Sequence, residues 1–193
     1  MRILNKRNVG KLYEKEIADS IPDYCMKHRL RDSAQSFTTH SDTRFSWDNE
    51  CDFFVFDTKA RLLYAIECKT TKYKSMNWES EQEYEQNKSL KKTTTKLIKY
   101  HQIKSLNDFD RFNNLIPCFI LNFRNEDTKD QRTYFIHIKD FMKMIKSLNK
   151  KSFDEMDLIL NGAIKIHGLR KRTRYAWDIN EFLCNYGLAY ANK

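Results

Sequence analysis

The sequence predicts an α/β domain in which a mixed central sheet is flanked by helices. Three observations carry this. Two short runs, Asp52-Phe53-Phe54-Val55-Phe56 and Leu62-Leu63-Tyr64-Ala65-Ile66-Glu67-Cys68-Lys69, are rich in aromatic and β-branched residues and are joined by Asp57-Thr58-Lys59-Ala60, the pattern of a hairpin. The run Pro117-Cys118-Phe119-Ile120-Leu121-Asn122-Phe123 is almost continuously apolar, as in a central strand buried on both faces. Apolar residues at helical spacing, Tyr13, Ile17, Ala18 and Ile21 early and Phe141, Met144, Ile145 and Leu148 late, supply the flanking layers.

In chain order, residues 9–21 read as the first helix, with Glu14 on its apolar stripe and Lys15 and Glu16 falling elsewhere. Residues 22–51 are polar and poorly periodic, which predicts loops around one short strand. The hairpin follows. Residues 72–89 are charged and short of aliphatics, so an exposed loop is expected, with Lys72 able to approach a substrate. From Lys88 to Leu106, Leu90, Leu97, Ile98, Ile103 and Leu106 among many lysines predict a basic amphipathic helix that carries Lys91, Lys92, His101 and Gln102. Thr133 to Ile138 pairs with the 117–123 strand across a charged turn, and Ser152-Phe153-Asp154-Glu155 reads as a capping box for a short helix. A final helix begins at Asp178-Ile179-Asn180-Glu181.

The chain has 193 residues, enough for one domain with a real core, and only 4 Gly and 2 Pro, which leaves no visible linker. We therefore read residues 1–193 as a single domain whose basic C-terminal segment covers 163–193. The 5 cysteines are odd in number and scattered, which fits a reducing cytoplasm better than a disulfide framework or zinc site. No apolar run is long enough to span a bilayer, and Met1 to Arg7 lacks the apolar core of a signal peptide. A formal net charge of +9 favours an acidic partner, with nucleic acid the leading candidate.

Antiparallel pairing of the hairpin brings Asp52 and Glu67 to the same end, and Lys69, two positions after Glu67, points to the same side of the sheet. At a solvated strand end these residues would form an ordinary ion pair. Glu67, however, is set in Leu-Leu-Tyr-Ala-Ile, where an acid costs burial energy unless it is paired or metal-bound. An Asp followed by Glu-x-Lys after an apolar strand resembles the active-site signature of the PD-(D/E)XK nucleases. That resemblance implies a restriction-endonuclease-like fold, carboxylates that hold Mg²⁺ with Mn²⁺ able to substitute, and a Lys at the attacking water or the scissile phosphate. The residue types suit that chemistry, because hard oxygen ligands take Mg²⁺ and an ammonium offsets charge developing on a phosphodiester. Gly10-Lys11-Leu12-Tyr13-Glu14 resembles the start of one branch, in which an acid from the first helix joins the site.

A wider set of short motifs lies in order along the chain. With Asp52 and Glu67-Cys68-Lys69, the segments Arg31-Asp32-Ser33-Ala34-Gln35-Ser36-Phe37, Tyr100-His101-Gln102 and Lys171-Arg172-Thr173-Arg174-Tyr175 resemble the RecU-type Holliday junction resolvases of phages and Gram-positive bacteria. The resemblance covers about Gly10 to Leu183. It implies four-way DNA junctions as substrate, Gln102 as the residue that positions a phosphate or water, and Gln35 as a DNA contact; two symmetric cuts by a chain with one set of Asp52, Glu67 and Lys69 in turn call for a two-fold homodimer. The family's protruding stalk has little room between Phe37 and Asp52. Independently of the resemblance, Lys165 to Tyr175 packs Arg170, Lys171, Arg172 and Arg174 around Tyr175, which reads as a DNA-backbone patch or as a solvated basic turn. Two rivals share these residues: a nuclease of the same superfamily acting on linear duplex, and a basic DNA-binding protein that does not cut.

Overall fold

The computed structural model describes residues 8–30 and 49–191. The stretch from Arg31 to Phe37, including Gln35, lies outside them, as does most of the segment between Phe37 and Asp52 in which a stalk would fall.

A six-stranded sheet runs through the centre, in the order β1 (Cys25–Arg29), β2 (Phe53–Asp57), β3 (Leu62–Thr71), β5 (Leu115–Asn125), β6 (Asp130–His137) and β8 (Ile164–Ile166). It is mixed, as the sequence predicts: β3 and β5 pair in parallel and the other neighbours antiparallel. The hairpin forms with Phe53 opposite Ile66 and Asp57 opposite Leu62. A parallel β3–β5 pair needs a crossover, and the chain between them provides β4 (Ser75–Asn77), α2 (Glu81–Ser89) and α3 (Tyr100–Phe109).

Side-chain alternation along β3 divides the core in two. Leu62, Tyr64, Ile66 and Cys68 face a layer made by α1 (Val9–Ser20), α6 (Ile179–Ala191) and Trp177 of β10 (Tyr175–Trp177). Ala65 faces the opposite layer, built from α3, α4 (Ile138–Ser147), Leu158 of α5 (Glu155–Leu160) and Phe153 of β7 (Ser152–Asp154). β5 is buried on both faces, with Cys118, Phe119 and Leu121 each at 0% exposure, as its continuous apolar run requires. Among the described residues no helix is long and apolar enough to cross a membrane.

Four local expectations are corrected. Residues 72–89 are structured: Met76 is buried in β4 and Ser80 begins α2 with a reciprocal capping box to Glu83, a local signal that outweighs the scarcity of aliphatics. The helix expected over Lys88–Leu106 starts only at Tyr100, because Ile98 is recruited into a bridge with Trp78. Lys91 then adopts a left-handed φ of 52° just past α2, and both Lys91 and Lys92 lie exposed in that turn rather than on a helix. The cap of α5 is Asp154, closed by Asp157, while Ser152 belongs to β7, which pairs with β4. Finally, Glu16 faces inward at 4% exposure.

Candidate active site

Asp52 stands where β2 begins, and three hydrogen bonds fix it. Its N–H donates to the Ile66 carbonyl at 3.0 Å and its carbonyl accepts the Leu30 N–H at 3.0 Å. Phe53 also pairs with Ile66, so two residues face one, a pattern that re-aims a side chain at a strand end. The Cys68 N–H points toward the β2 side beyond the last strand pair, and the Asp52 carboxylate accepts it at 2.7 Å.

Glu67 lies one residue before Cys68, in the interior of the sheet between β2 and β5 and only 2% exposed. Its Oε1 accepts from Lys69 Nζ at 2.5 Å and from Gln102 Nε2 at 2.5 Å. Burial pushes the Glu67 carboxyl up to about 7, with the Lys69 ammonium opposing the rise and the Asp52 charge adding to it. Burial acts on Lys69 in the other direction. The charges of Glu67 and Asp52 overcome it, so the lysine is held above its ordinary value and stays an ammonium.

Gln102 reaches this pair from the first turn of α3. Its carbonyl oxygen accepts the Lys99 N–H at 3.1 Å, which fixes which end of the amide faces Glu67. The helix start is held by Glu79, a 2% exposed acid whose carboxylate accepts the Tyr100 N–H at 3.1 Å and the Asn87 side-chain amide at 2.9 Å. Sequence reasoning missed Glu79. Its only signal was an acid directly after Trp78 and before the Ser80 cap, which is easily read as part of a charged loop.

Glu14 lies half-buried on α1, near enough that its charge raises the Glu67 carboxyl, and it is ion-paired to Arg29 at 2.5 Å. The structure thus brings Asp52, Glu67, Lys69 and Gln102 together, with Glu14 beside them. Lys72 is exposed just past the end of β3, while Lys91 and Lys92 follow α2.

Two carboxylates from Asp52 and Glu67 form a hard oxygen donor set that fits Mg²⁺, an ion that commonly takes one or two protein acids and keeps several waters. Among the described residues no group of three or more His, Cys, Asp or Glu gathers into a fuller cage.

The basic tail forms a hairpin of β9 (Gly168–Arg170) and β10, with Arg170 opposite Tyr175. Arg170, Lys171 and Arg172 are exposed. Arg174 is paired with Asp19 at 3.1 Å, and Tyr175 stacks on Trp177 with centroids 5.1 Å apart and donates its hydroxyl to the Lys129 carbonyl at 2.8 Å. Glu16 explains the hairpin's seat on α1. Its carboxylate accepts the Tyr175 N–H at 3.0 Å, and burial raises its pKa.

No family model matches the chain. Among curated proteins it is 25% identical over 193 residues to the SPbeta prophage-derived uncharacterized protein YotM of Bacillus subtilis (strain 168), across 94% of this chain and 87% of that protein. Among solved structures it is similar to Hjc of Archaeoglobus fulgidus, a Holliday junction resolvase from an archaeal hyperthermophile, with a TM-score of 0.41 and 13% identity over 80% of this chain and 93% of that one.

Proposed function

We propose that this chain is a Mg²⁺-dependent DNA endonuclease that resolves four-way junctions by paired nicks, working as a two-fold homodimer in the manner of the RecU-type enzymes. The observation that carries the reading is Glu67: a buried acid in a sheet interior, bonded through one oxygen to Lys69 and Gln102 and flanked by Asp52. A core built only for stability has little use for such a group, since a buried ion pair seldom outperforms apolar packing.

Asp52 and Glu67 would hold the metal, which supplies Lewis acidity toward the phosphodiester when bound. The chain's own groups do the rest. Lys69, kept protonated by the two acids, sets a fixed positive charge where negative charge develops. Gln102, its carbonyl anchored on Lys99, presents its N–H₂ to the same point and orients the reacting group. Glu14, drawn toward Arg29, adjusts the field on Glu67.

The test is cleavage of a labelled four-way junction beside a linear duplex of matching arms, with Mg²⁺, Mn²⁺ or chelator. Metal-dependent, symmetric nicks in the junction alone support the full reading. Equal cutting of the duplex would make the chain a nuclease without junction selectivity, and absence of cutting on either DNA would overturn the enzyme reading.

A further inference from the structure

On the face of the sheet opposite Lys69 lies a groove of about 370 Å³ with two hairpin walls and α1 as its floor. One wall is the β5–β6 turn, which bears Arg124 and Lys129; the other is the β9–β10 hairpin, which bears Arg170, Lys171, Arg172 and Arg174. Against these six cations stand two carboxylates, Glu16 and Glu126. Glu16 is largely spent on the Tyr175 backbone N–H.

The walls are pre-organised. The Tyr175 hydroxyl bonds the Lys129 carbonyl and so ties one hairpin to the other, while Asn125 Oδ1 accepts the N–H groups of Asp127 and Thr128 at 3.0 and 3.1 Å and shapes the turn. Arg124 is the most constrained cation: its side chain is only 17% exposed, and its Nη1 pairs at 3.1 Å with the outward-lying Glu126, a 55% exposed partner that a phosphate would displace. Its Nε donates to Thr70 Oγ1 at 2.9 Å, Thr70 donates to Asn122 Oδ1 at 2.8 Å, and Asn122 donates to Thr133 Oγ1 at 3.0 Å. Asn122 and Thr133 are fully buried, and Tyr13 of α1 closes the chain on Thr133 at 3.3 Å. A guanidinium oriented by a buried polar chain loses little freedom on meeting an anion, which is how a fork of donors gains affinity for phosphate.

We infer that this groove is a DNA-backbone clamp in which Arg124, fixed through Thr70, seats a phosphate between Lys129 and the Arg170–Arg172 edge. Arg174 and Tyr175 act as its scaffold, because through Asp19 and Lys129 they brace the β9–β10 hairpin against α1 and against the β5–β6 turn. Thr70 directly follows Lys69 on β3 with its side chain on the other face, so the clamp grips DNA at the same end of the sheet as the acids. The ligand's identity rests on the DNA reading above, but the clamp does not depend on cleavage.

Fluorescence anisotropy in chelator with a labelled junction, a duplex and an RNA duplex of equal length separates the two. Lys129→Ala and Arg172→Ala, both surface changes, each lower DNA affinity severalfold and reduce the log–log salt slope by about 0.9. Arg124→Gln lowers it about tenfold. Arg124→Lys, which keeps the charge without the Thr70 contact, falls between. Wild-type affinity and slope in the combined Lys129→Ala/Arg172→Ala protein would overturn the clamp even if the chain cuts DNA, and those surface variants decide the matter should Arg124→Gln fold poorly. Tighter binding of RNA would overturn the DNA assignment. Groove-dependent DNA binding without any cutting would leave the clamp standing and the nuclease reading fallen.

Discussion

Gln102 Nε2 and Lys69 Nζ converge on the same oxygen of Glu67, each at 2.5 Å, from a helix and a strand separated by the whole crossover. An amide and an ammonium thus share one buried carboxylate oxygen, and the Asp52 charge acts on the same group. Removing either donor therefore perturbs the site without emptying it.

Asp52→Asn and Glu67→Gln are each expected to lower cleavage by roughly 10²- to 10³-fold or more, the scale of losing a principal charge-stabilising group. DNA binding in chelator should be kept or tightened, since a charge repelling phosphate is gone. Cleavage at the wild-type rate by either variant would reject the assignment.

Gln102→Leu should lower the cleavage rate while leaving DNA affinity within about twofold. Glu79→Gln should give a smaller rate loss in the same direction, because a neutral amide oxygen still accepts the Tyr100 N–H but holds the α3 start less firmly. A Glu79→Gln protein that loses DNA affinity instead would place Glu79 in binding rather than in support of Gln102.

The pair Glu67–Lys69 makes stability depend on pH. Glu67 in the folded chain sits near 7, above its ordinary 4.5, so the folded state keeps a proton that the unfolded state releases. Without divalent cation, stability therefore falls as pH rises from about 4.5 to about 7, and this residue adds no slope outside that window. Lys69, raised rather than lowered, stays charged throughout it. Urea unfolding should show a shallower fall between about pH 4.5 and 7 in Glu67→Gln/Lys69→Met than in the wild type, the buried Glu16 carboxyl supplying a slope of the same sign in both, and equal slopes would assign the whole fall to other groups.

A side chain at Gly168 would lie 2.5 Å from the Trp177 ring. Gly168→Ala should thus displace Trp177, which is 4% exposed, at a cost of roughly 1–3 kcal/mol. Tryptophan fluorescence should shift, thermal stability should drop, and DNA affinity should fall with the hairpin.

Mixing wild-type chains with an excess of Glu67→Gln chains should give dimers that nick one strand of a junction without resolving it, because each chain carries one set of Asp52, Glu67 and Lys69 and two-fold pairing supplies the second. Paired cuts from a protein that sediments as a monomer on the junction would reject the dimer.

The hairpin and the central strand were legible because their signals are local: alternation, a turn and an apolar run. Asp52, Glu67 and Lys69 were singled out by hairpin pairing, strand period and the Asp…Glu-x-Lys resemblance, whereas the two-against-one pairing that seats Asp52 at Ile66 has no sequence signal. Gln102 was named from a motif, on a helix expected to begin too early, and its meeting with Glu67 depends on a bridge between Trp78 and Ile98 that no periodicity announces. Arg124, Glu16 and Glu79 were illegible for a shared reason. Each owes its place to partners distant in sequence, Thr70, Tyr175 and Tyr100, and single-residue patterns carry no record of such partners.

The Asp52 carboxylate that receives the Cys68 amide does more than complete a strand edge. It makes one backbone proton a gauge of a side chain assigned to the proposed metal site. The chemical shift of that amide should move when Asp52 takes up a proton, and again when a cation draws the carboxylate away. In an isotope-labelled sample that single cross-peak would then report the state of Asp52 directly, with no probe attached and no substrate present.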